Sequence, residues 1–550
     1  MKKILKNHWG AVVLFAFGLF MVFVRSAGSL DGDEAIYAQV AKETLANNSW
    51  LTLHWRGEIW LEKPPFFIWL QMINVSLFGY GEVVLRFTSG LFGVLTAVLV
   101  YFITYDIFKN KRGAFISGII LFSTPFFINS MRFAMTDTMV TFFITLALFV
   151  LYKIIKSDGD SFTKWLKIFA VATGCAIMTK SMVGVIPIFG LTFSIITIKK
   201  VRIKILKNKK ELFFSILILF LIIAPWHIFM SLKFGREFWR EYIGYHVVDR
   251  IRENIIVSPY NNYLEAIWNK LGIWPPVFVV LLLGAKKSLM KYKKEIIFFL
   301  ANAVFIISAF SMAKTIVPHY ILPAVPLVAI VIGGIMGEIF KNKQKMVVIL
   351  SGISLLNFTP FFILQASDYG ASNILIPRII DHFLKNNVNI FYIIIFNMTM
   401  MCLFVELWLY KKYTKIIGNT AFALLISMNI FVPFYSDRGV EMKKLGIFIE
   451  NISKEKQINY IFMTKSEKYR TNTLLFYVPL GIKVERLSSE VGSSPNIYQR
   501  NLLQKNREQA LCVILDDGKQ AKNLGKNIYT FNGGVVKKCN NSVKNKKMNR

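Results

Sequence analysis

Apolar runs of roughly twenty residues recur along most of this chain, and no other feature constrains its fold as much. As an α-helix rising 1.5 Å per residue, such a run crosses a hydrocarbon layer of ~30 Å. Within that layer each backbone N–H and C=O must be satisfied inside the segment, so the runs read as transmembrane helices. The expected fold class is an all-α polytopic membrane protein. Crossings are expected at about 9–27, 83–107, 113–129, 138–153, 164–180, 182–198, 211–231, 271–285, 295–312, 320–339, 346–366, 389–410 and 417–435, roughly thirteen in all.

The charge of the chain is then a statement about orientation. Its 66 Lys+Arg against 32 Asp+Glu give +34. In a soluble protein that excess would suggest nucleic acid. Here the cations lie mostly in short loops between apolar runs, at 109–112, 199–210, 286–294, 341–345 and 411–415, with a weaker cluster at 153–167. Basic loops stay in the cytoplasm. An inside N-terminus and an odd number of crossings place all of them inside and the C-terminus outside, in a multi-pass protein of the cytoplasmic (inner) membrane. Lys2, Lys3 and Lys6 followed by the run Trp9–Val24 look like a signal peptide. Arg25 interrupts the small-residue stretch after it, so the segment is read as an uncleaved first helix. Of the four cysteines, Cys175 and Cys402 sit in apolar runs, and pairing of Cys512 with Cys539 in the polar tail is open.

The expected division is a transmembrane domain over 1–435 and a small extracytoplasmic domain over 436–550. The first has long outer segments at 29–82 and 233–270. Segment 29–82 holds a helix-like stretch, Asp33 to Ala46, and an apolar piece, Pro64 to Gly79, after a double proline. The tail alternates strand-like pieces (460–463, 511–515) with a helix-like piece, which reads as α/β; its Lys/Asn-rich end, 537–550, reads as disordered.

Ionisable residues gather at the outer helix ends: Asp33 and Glu34; Glu62 and Lys63; Arg132 and Asp137; Lys180; His246, Asp249 and Arg250; Lys314 and His319. A charge at membrane depth costs roughly 2.5–3.5 kcal/mol on insertion scales, so such groups tend to serve function. Cations converging there suit a phosphate, and carboxylates beside them suit a base or a metal. Each group also has a plainer reading. Asp33 and Asp137 are positioned to cap helices, Lys180 and Lys314 to snorkel, and His246 with Arg250, at i and i+4, to share a solvated face. The recurrence of such groups on one side favours a site.

The motifs, taken in order, resemble those of bacterial relatives of the dolichyl-phosphate-mannose protein mannosyltransferases, among them the 4-amino-4-deoxy-L-arabinose lipid A transferases. Asp33-Glu34-Ala35-Ile36-Tyr37-Ala38 looks like their "DE-x-x-Y-A", and Glu62-Lys63-Pro64-Pro65 like their "EKPP" ahead of an aromatic helix. Arg132 to Asp137 is similar to "AR…D", Thr179-Lys180 to "TKG", His246 with Arg250 to "H…R", and Lys314 to Pro323 to "K-x-x-x-P-x-Y-x-L-P". The likeness runs over about residues 30–330. It departs at Ile36, where the lipid A enzymes tend to have arginine, and at Ser181, where the family has glycine.

That resemblance implies a GT-C fold and a glycosyltransferase with a polyprenyl-phosphate sugar as donor. The acceptor is a lipid, glycan or protein at the outer face, with membrane lipids around it and no nucleic acid. It implies Asp33 as general base, or as the group that orients an already anionic acceptor, and Lys63, with Arg132, Lys180 or Lys314, as counter-charge to the donor phosphate. Glu34, Tyr37, Asp137, Arg250, His319 and Tyr320 are implied in the pocket. Glu62 and His246 are suggested as ligands of a divalent metal such as zinc, although catalytic zinc usually takes three protein ligands. A lipid-linked-sugar flippase would place its polar groups nearer the midplane, between repeats. No repeat is visible. The Trp-Trp-Asp signature of oligosaccharyltransferases is missing, which weakens a ligase reading, and a purely structural membrane protein leaves the outer charges unexplained.

Overall fold

The computed structural model describes residues 8–25, 30, 32–253, 262–271, 274–340, 437–455 and 477, and five strands between 460 and 538. The chain separates into two compact units, one of 1–24, 62–66 and 89–434, the other of 25–61, 67–88 and 435–550. The expected spans 346–366, 389–410 and 417–435 lie outside the described residues.

In order, the helices are α1 (Trp9–Arg25), α2 (Asp33–Ala46), α3 (Phe66–Phe78), α4 (Glu82–Phe108), α5 (Lys111–Ser123), α6 (Pro125–Arg132), α7 (Asp137–Lys156), α8 (Gly159–Lys180), α9 (Ile186–Thr197), α10 (Lys199–Lys207) and α11 (Lys209–Trp239). They continue as α12 (Tyr263–Lys270), α13 (Trp274–Gly284), α14 (Lys286–Lys291), α15 (Lys293–Ser311), α16 (Ala324–Ile339) and α17 (Asp437–Glu455). Among the described residues, five helical stretches are long and apolar enough to cross a membrane, or six if α5 and α6 are one bent span.

Two departures from the expected spans have local causes, and so does the reversal between the expected spans 164–180 and 182–198, which the chain makes. The single crossing expected at 113–129 is broken into α5 and α6, which meet at 67°. Pro125 opens α6, and Thr124 before it is extended (φ −87°, ψ 111°), as the residue ahead of proline prefers. The apolar stretch 159–197 doubles back. Ser181 turns at φ 43°, and a Cβ on Gly184 would lie 2.3 Å from the Ala176 carbonyl carbon, so only glycine lets the turn close on α8. Gly190 then packs on Leu148 and Leu151, so α9 runs back beside α7. The span expected at 271–285 is an 11-residue helix, about 16 Å long, too short to cross by itself.

Helices α5 and α16 approach through small residues. A Cβ on Gly333 would lie 2.6 Å from the Ser117 backbone nitrogen, and one on Gly337 2.5 Å from Gly113 Cα. The Gly333-x-x-x-Gly337 spacing puts both glycines on one face, the small-residue pattern by which membrane helices pack closely. Asn110 locks the end of the contact. Its Oδ1 accepts from the backbone N–H groups of Arg112 (3.0 Å) and Gly113 (3.2 Å), and its Nδ2 donates to the Gly337 carbonyl at 2.6 Å.

In the second unit, strands β1 (Leu53–Trp55) and β2 (Glu58–Trp60) form a hairpin across Arg56 (φ 57°) and Gly57 (φ 77°), the two positive φ values a type I′ turn requires. The hairpin is bound to α2: Gly57 N–H donates to Glu43 Oε2, and His54 N–H to Thr44 Oγ1, both at 2.9 Å. The tail pieces expected as strands are β3 (Tyr460–Thr464) and β5 (Ala510–Leu515). With β4 (Lys483–Arg486), β6 (Tyr529–Phe531) and β7 (Gly534–Lys538) they form one sheet in the order β4-β3-β5-β7-β6. In it β3 is parallel to β4 and β5, and β7 is antiparallel to β5 and β6.

Candidate active site

Two clusters of the expected site residues are built, one in each unit. In the first unit, α7 and α8 pack so that the start of one meets the end of the other. Lys180, the last residue of α8, donates from Nζ to Asp137 Oδ1 at 2.5 Å, with side chains only 8% and 4% exposed. The same ammonium lies 4.8 Å from the centroid of the Tyr320 ring, a cation–π contact, and His319 meets Tyr320 edge-on. Arg132 is buried at the end of α6. The loop from Arg132 to Asp137 is fastened to α4. Ser89 Oγ donates to the Met135 carbonyl (2.8 Å), and Thr138 Oγ1 donates to the Ser89 carbonyl (2.8 Å). Asp137 is the first residue of α7 and follows the N-cap position, so its carboxylate serves the ion pair and not a cap. Lys180 therefore does not snorkel: it is buried and balanced by Asp137, which leaves less of its charge for a phosphate.

The "K-x-x-x-P-x-Y-x-L-P" segment joins the stretch between α11 and α12. Lys314 N–H donates to the Ile251 carbonyl (3.3 Å), Thr315 Oγ1 to the Glu253 carbonyl (2.6 Å), and the Tyr263 hydroxyl bonds both the N–H and the carbonyl of Val317 at 3.1 and 3.2 Å. The Lys314 side chain is exposed. His246 and Arg250 lie in the helical turns after α11, with side chains outside the described residues. Glu62 and Lys63 are half-buried. Among the described residues no three His, Cys, Asp or Glu side chains gather as a metal site.

In the second unit, Gly32 (φ 61°) occupies the N-cap position of α2, so Asp33 is the first helical residue, exposed, and does not act as the cap. Glu34 beside it is fully buried in a two-pronged ion pair: Arg86 Nε donates to Oε2 at 2.9 Å and Nη2 to Oε1 at 2.5 Å. Glu34 is thus an anchor for the start of α2. Tyr37, one turn on, is packed edge-on between Trp60 (5.9 Å) and Phe67 (5.8 Å). The tail contributes to the same unit. Lys443 of α17 donates to Glu82 Oε1 at 2.5 Å, and the Tyr477 hydroxyl donates to the same oxygen at 3.1 Å while accepting from Leu30 N–H at 2.9 Å. Burial pushes the Lys42 ammonium down, against the pull of Glu43 and of Glu450 on α17. Motif reading did not find Arg86, Glu82, Lys443 or Tyr477. The one available signal was Arg86 itself, a lone cation a turn into an apolar run.

Residues 21–240 match the family model of the dolichyl-phosphate-mannose-protein mannosyltransferases. An undecaprenyl phosphate-alpha-4-amino-4-deoxy-L-arabinose arabinosyl transferase of Pectobacterium atrosepticum is 26% identical over 63% of this chain. The chain is thus similar in sequence to these transferases over part of its length. An uncharacterized protein of Aquifex aeolicus is 29% identical over 57% of the chain. The alignments span about three fifths of these relatives, 60% of the Aquifex protein and 62% of the Pectobacterium one. The crystal structure of ArnT from Cupriavidus metallidurans bound to undecaprenyl phosphate superposes with a TM-score of 0.72, covering 96% of this chain and 97% of that one at 19% identity. The GT-C fold implied by the motifs is therefore the fold of this chain. The family match takes in Asp33, Glu62, Lys63, Arg132, Asp137 and Lys180; His246, Arg250, Lys314, His319 and Tyr320 lie beyond it.

Proposed function

We propose that the chain is a membrane glycosyltransferase that moves a sugar from a polyprenyl-phosphate donor to a lipid, glycan or protein acceptor at the outer face of the cytoplasmic membrane. The observation that carries the reading is the start of α2. There an exposed carboxylate, Asp33, is set on a helix whose next residue is anchored by a buried Glu34–Arg86 pair, in a chain with the GT-C fold. A reactive carboxylate on a fixed helix end is what general-base work demands.

In this reading the acceptor hydroxyl oxygen forms a bond to the anomeric carbon of the donor sugar. The bond from that carbon to the phosphate oxygen breaks, and its electron pair leaves with the polyprenyl phosphate. The hydroxyl proton passes to Asp33. One displacement inverts the anomeric centre, so a single base suffices, unlike the paired carboxylates of retaining glycosidases. Charge grows on the departing phosphate, and fixed cations favour its departure. Lys63, Arg132 and Lys314 fill that role, with Lys180 contributing through the field of its pair with Asp137. Tyr320 lies against Lys180, and His319 meets the Tyr320 ring edge-on. Arg250 belongs to the same outer segment, and Glu62 and His246 remain the residues to which a divalent metal would be assigned.

The test is a panel of undecaprenyl-phosphate sugars offered to the purified protein with membrane lipid extract as acceptor, following released undecaprenyl phosphate and the anomeric configuration of the product. Release with an inverted product is expected. A retained configuration would overturn the single displacement. No release from any donor, with movement of the intact donor between vesicle leaflets, would replace the transferase with a flippase.

A further inference from the structure

At the end of α8 opposite Lys180, the loop joining α7 to α8 and the short helix α10 border an open concavity of about 510 Å³. Asp158, Phe162, Lys199, Lys200, Lys204 and Lys207 line it. Four ammonium groups thus face one carboxylate. Lys204 is buried and committed to structure: its Nζ donates to the carbonyls of Ile155 and Ser157, closing the end of α7, and pairs with Asp158 Oδ1 at 2.9 Å. Lys200 reaches the other Asp158 oxygen at 3.3 Å. Hydrogen bonding to Lys204 first, and to Lys200, holds the Asp158 carboxyl below the ordinary carboxylate range. Asp158 is therefore used by these two, while Lys199 and Lys207 are exposed and have no ion pair among the described residues.

The apolar surroundings say what an anion here would be attached to. Helix α10 is nine residues long and lies between two apolar stretches, α9 and α11. It buries Val201 and Ile205, yet leaves Ile203 and Leu206 40% and 57% exposed beside its lysines. The preceding turns of α9 expose Phe193 and Ile196, each 66%. A free phosphate gains nothing from these side chains, whereas an acyl chain covers them. Lysines interleaved with exposed apolar side chains at the end of a membrane helix suit the interface, where anionic headgroups adjoin acyl chains. The positive-inside rule assigns this loop to the cytoplasmic leaflet, whose surface is anionic.

We propose that this concavity is a binding site for an anionic phospholipid of the cytoplasmic leaflet, its phosphodiester held by Lys199, Lys200 and Lys207 and its acyl chains lying over Ile203, Leu206 and the exposed face of α9. The site is separate from the donor and acceptor chemistry and rests on none of it.

The experiment uses the full chain in lipid nanodiscs and, by native mass spectrometry, in detergent. Phosphatidylglycerol is expected to remain bound to the wild type where phosphatidylcholine does not. Lys199→Gln/Lys207→Gln is expected to lose it roughly tenfold, as two interfacial cations would, while Lys199→Arg/Lys207→Arg keeps it. Equal retention by the Gln variant overturns the proposal, as does displacement of the lipid by inorganic phosphate at matched concentration. Hydrogen exchange on the wild type alone guards against a misfolded variant. Amides of 199–207 should exchange more slowly in phosphatidylglycerol than in phosphatidylcholine discs, and identical exchange overturns the site.

Discussion

Glu34 and Arg86 show how a motif residue can have a structural partner that the motif does not contain. The sequence marks Glu34 as half of an acidic pair and the resemblance puts it in the pocket. The structure buries it completely against Arg86, 52 residues away, a partner that no local pattern names. Removing one member of a buried ion pair leaves an uncompensated charge and costs about 3–5 kcal/mol, whereas replacing both by apolar residues is often nearly neutral. Arg86→Met is therefore expected to lower the thermal midpoint of the purified protein sharply, and Glu34→Leu/Arg86→Met to recover much of the loss. A midpoint for Arg86→Met equal to that of the wild type would show that the pair does not hold α2. Lys180 carries the same lesson. It was legible as a charge out of place, but its pairing with Asp137 at 2.5 Å depends on how α7 and α8 pack, which spacing does not encode.

At the scale of elements, periodicity and composition read well where one segment decides its own structure. The helix-like stretch from Asp33 to Ala46 is α2 to the residue, and both strand-like tail pieces are strands. Elements that depend on a neighbour read less well. The 67° break at Thr124 was signalled only by Pro125, and the glycines of α16 looked like ordinary members of an apolar run. Their function is contact: Gly333 and Gly337 admit the backbone of α5. Gly337→Val pushes a branched side chain against Gly113 Cα, where neither backbone can retreat, and overpacking of this kind costs about 1–3 kcal/mol. The variant is expected to melt earlier than wild type in detergent, and Gly190→Ala, which meets only the Asn302 and Leu151 side chains at 3.2 Å, to melt closer to it. The reverse order would remove the close packing of α5 and α16 from the account.

At the scale of the whole molecule, the recurring apolar runs marked a helical membrane chain, and the motif resemblance implied the GT-C fold that the superposition shows. Sidedness follows from the charge bias alone, so it is the prediction to test at this scale. In a cysteine-free background, Asn48→Cys in the first outer segment is expected to react with a membrane-impermeant maleimide added outside intact cells. Lys109→Cys, in a basic loop, is expected to react only after permeabilisation; both positions are exposed in the structure. The opposite labelling would invert the topology and move every proposed site residue to the wrong leaflet. What the sequence could not convey is the scaffold behind Asp33, in which Arg86, Glu82, Lys443 and Tyr477 come from segments separated by hundreds of residues. The central claim is that this scaffold presents a base to a lipid-linked sugar. The most direct measurement is release of undecaprenyl phosphate from a productive donor by the wild type and by Asp33→Asn, each shown to melt at the same temperature. The account predicts a loss of at least about 100-fold in the variant, the range of a general base; an undiminished rate would contradict it.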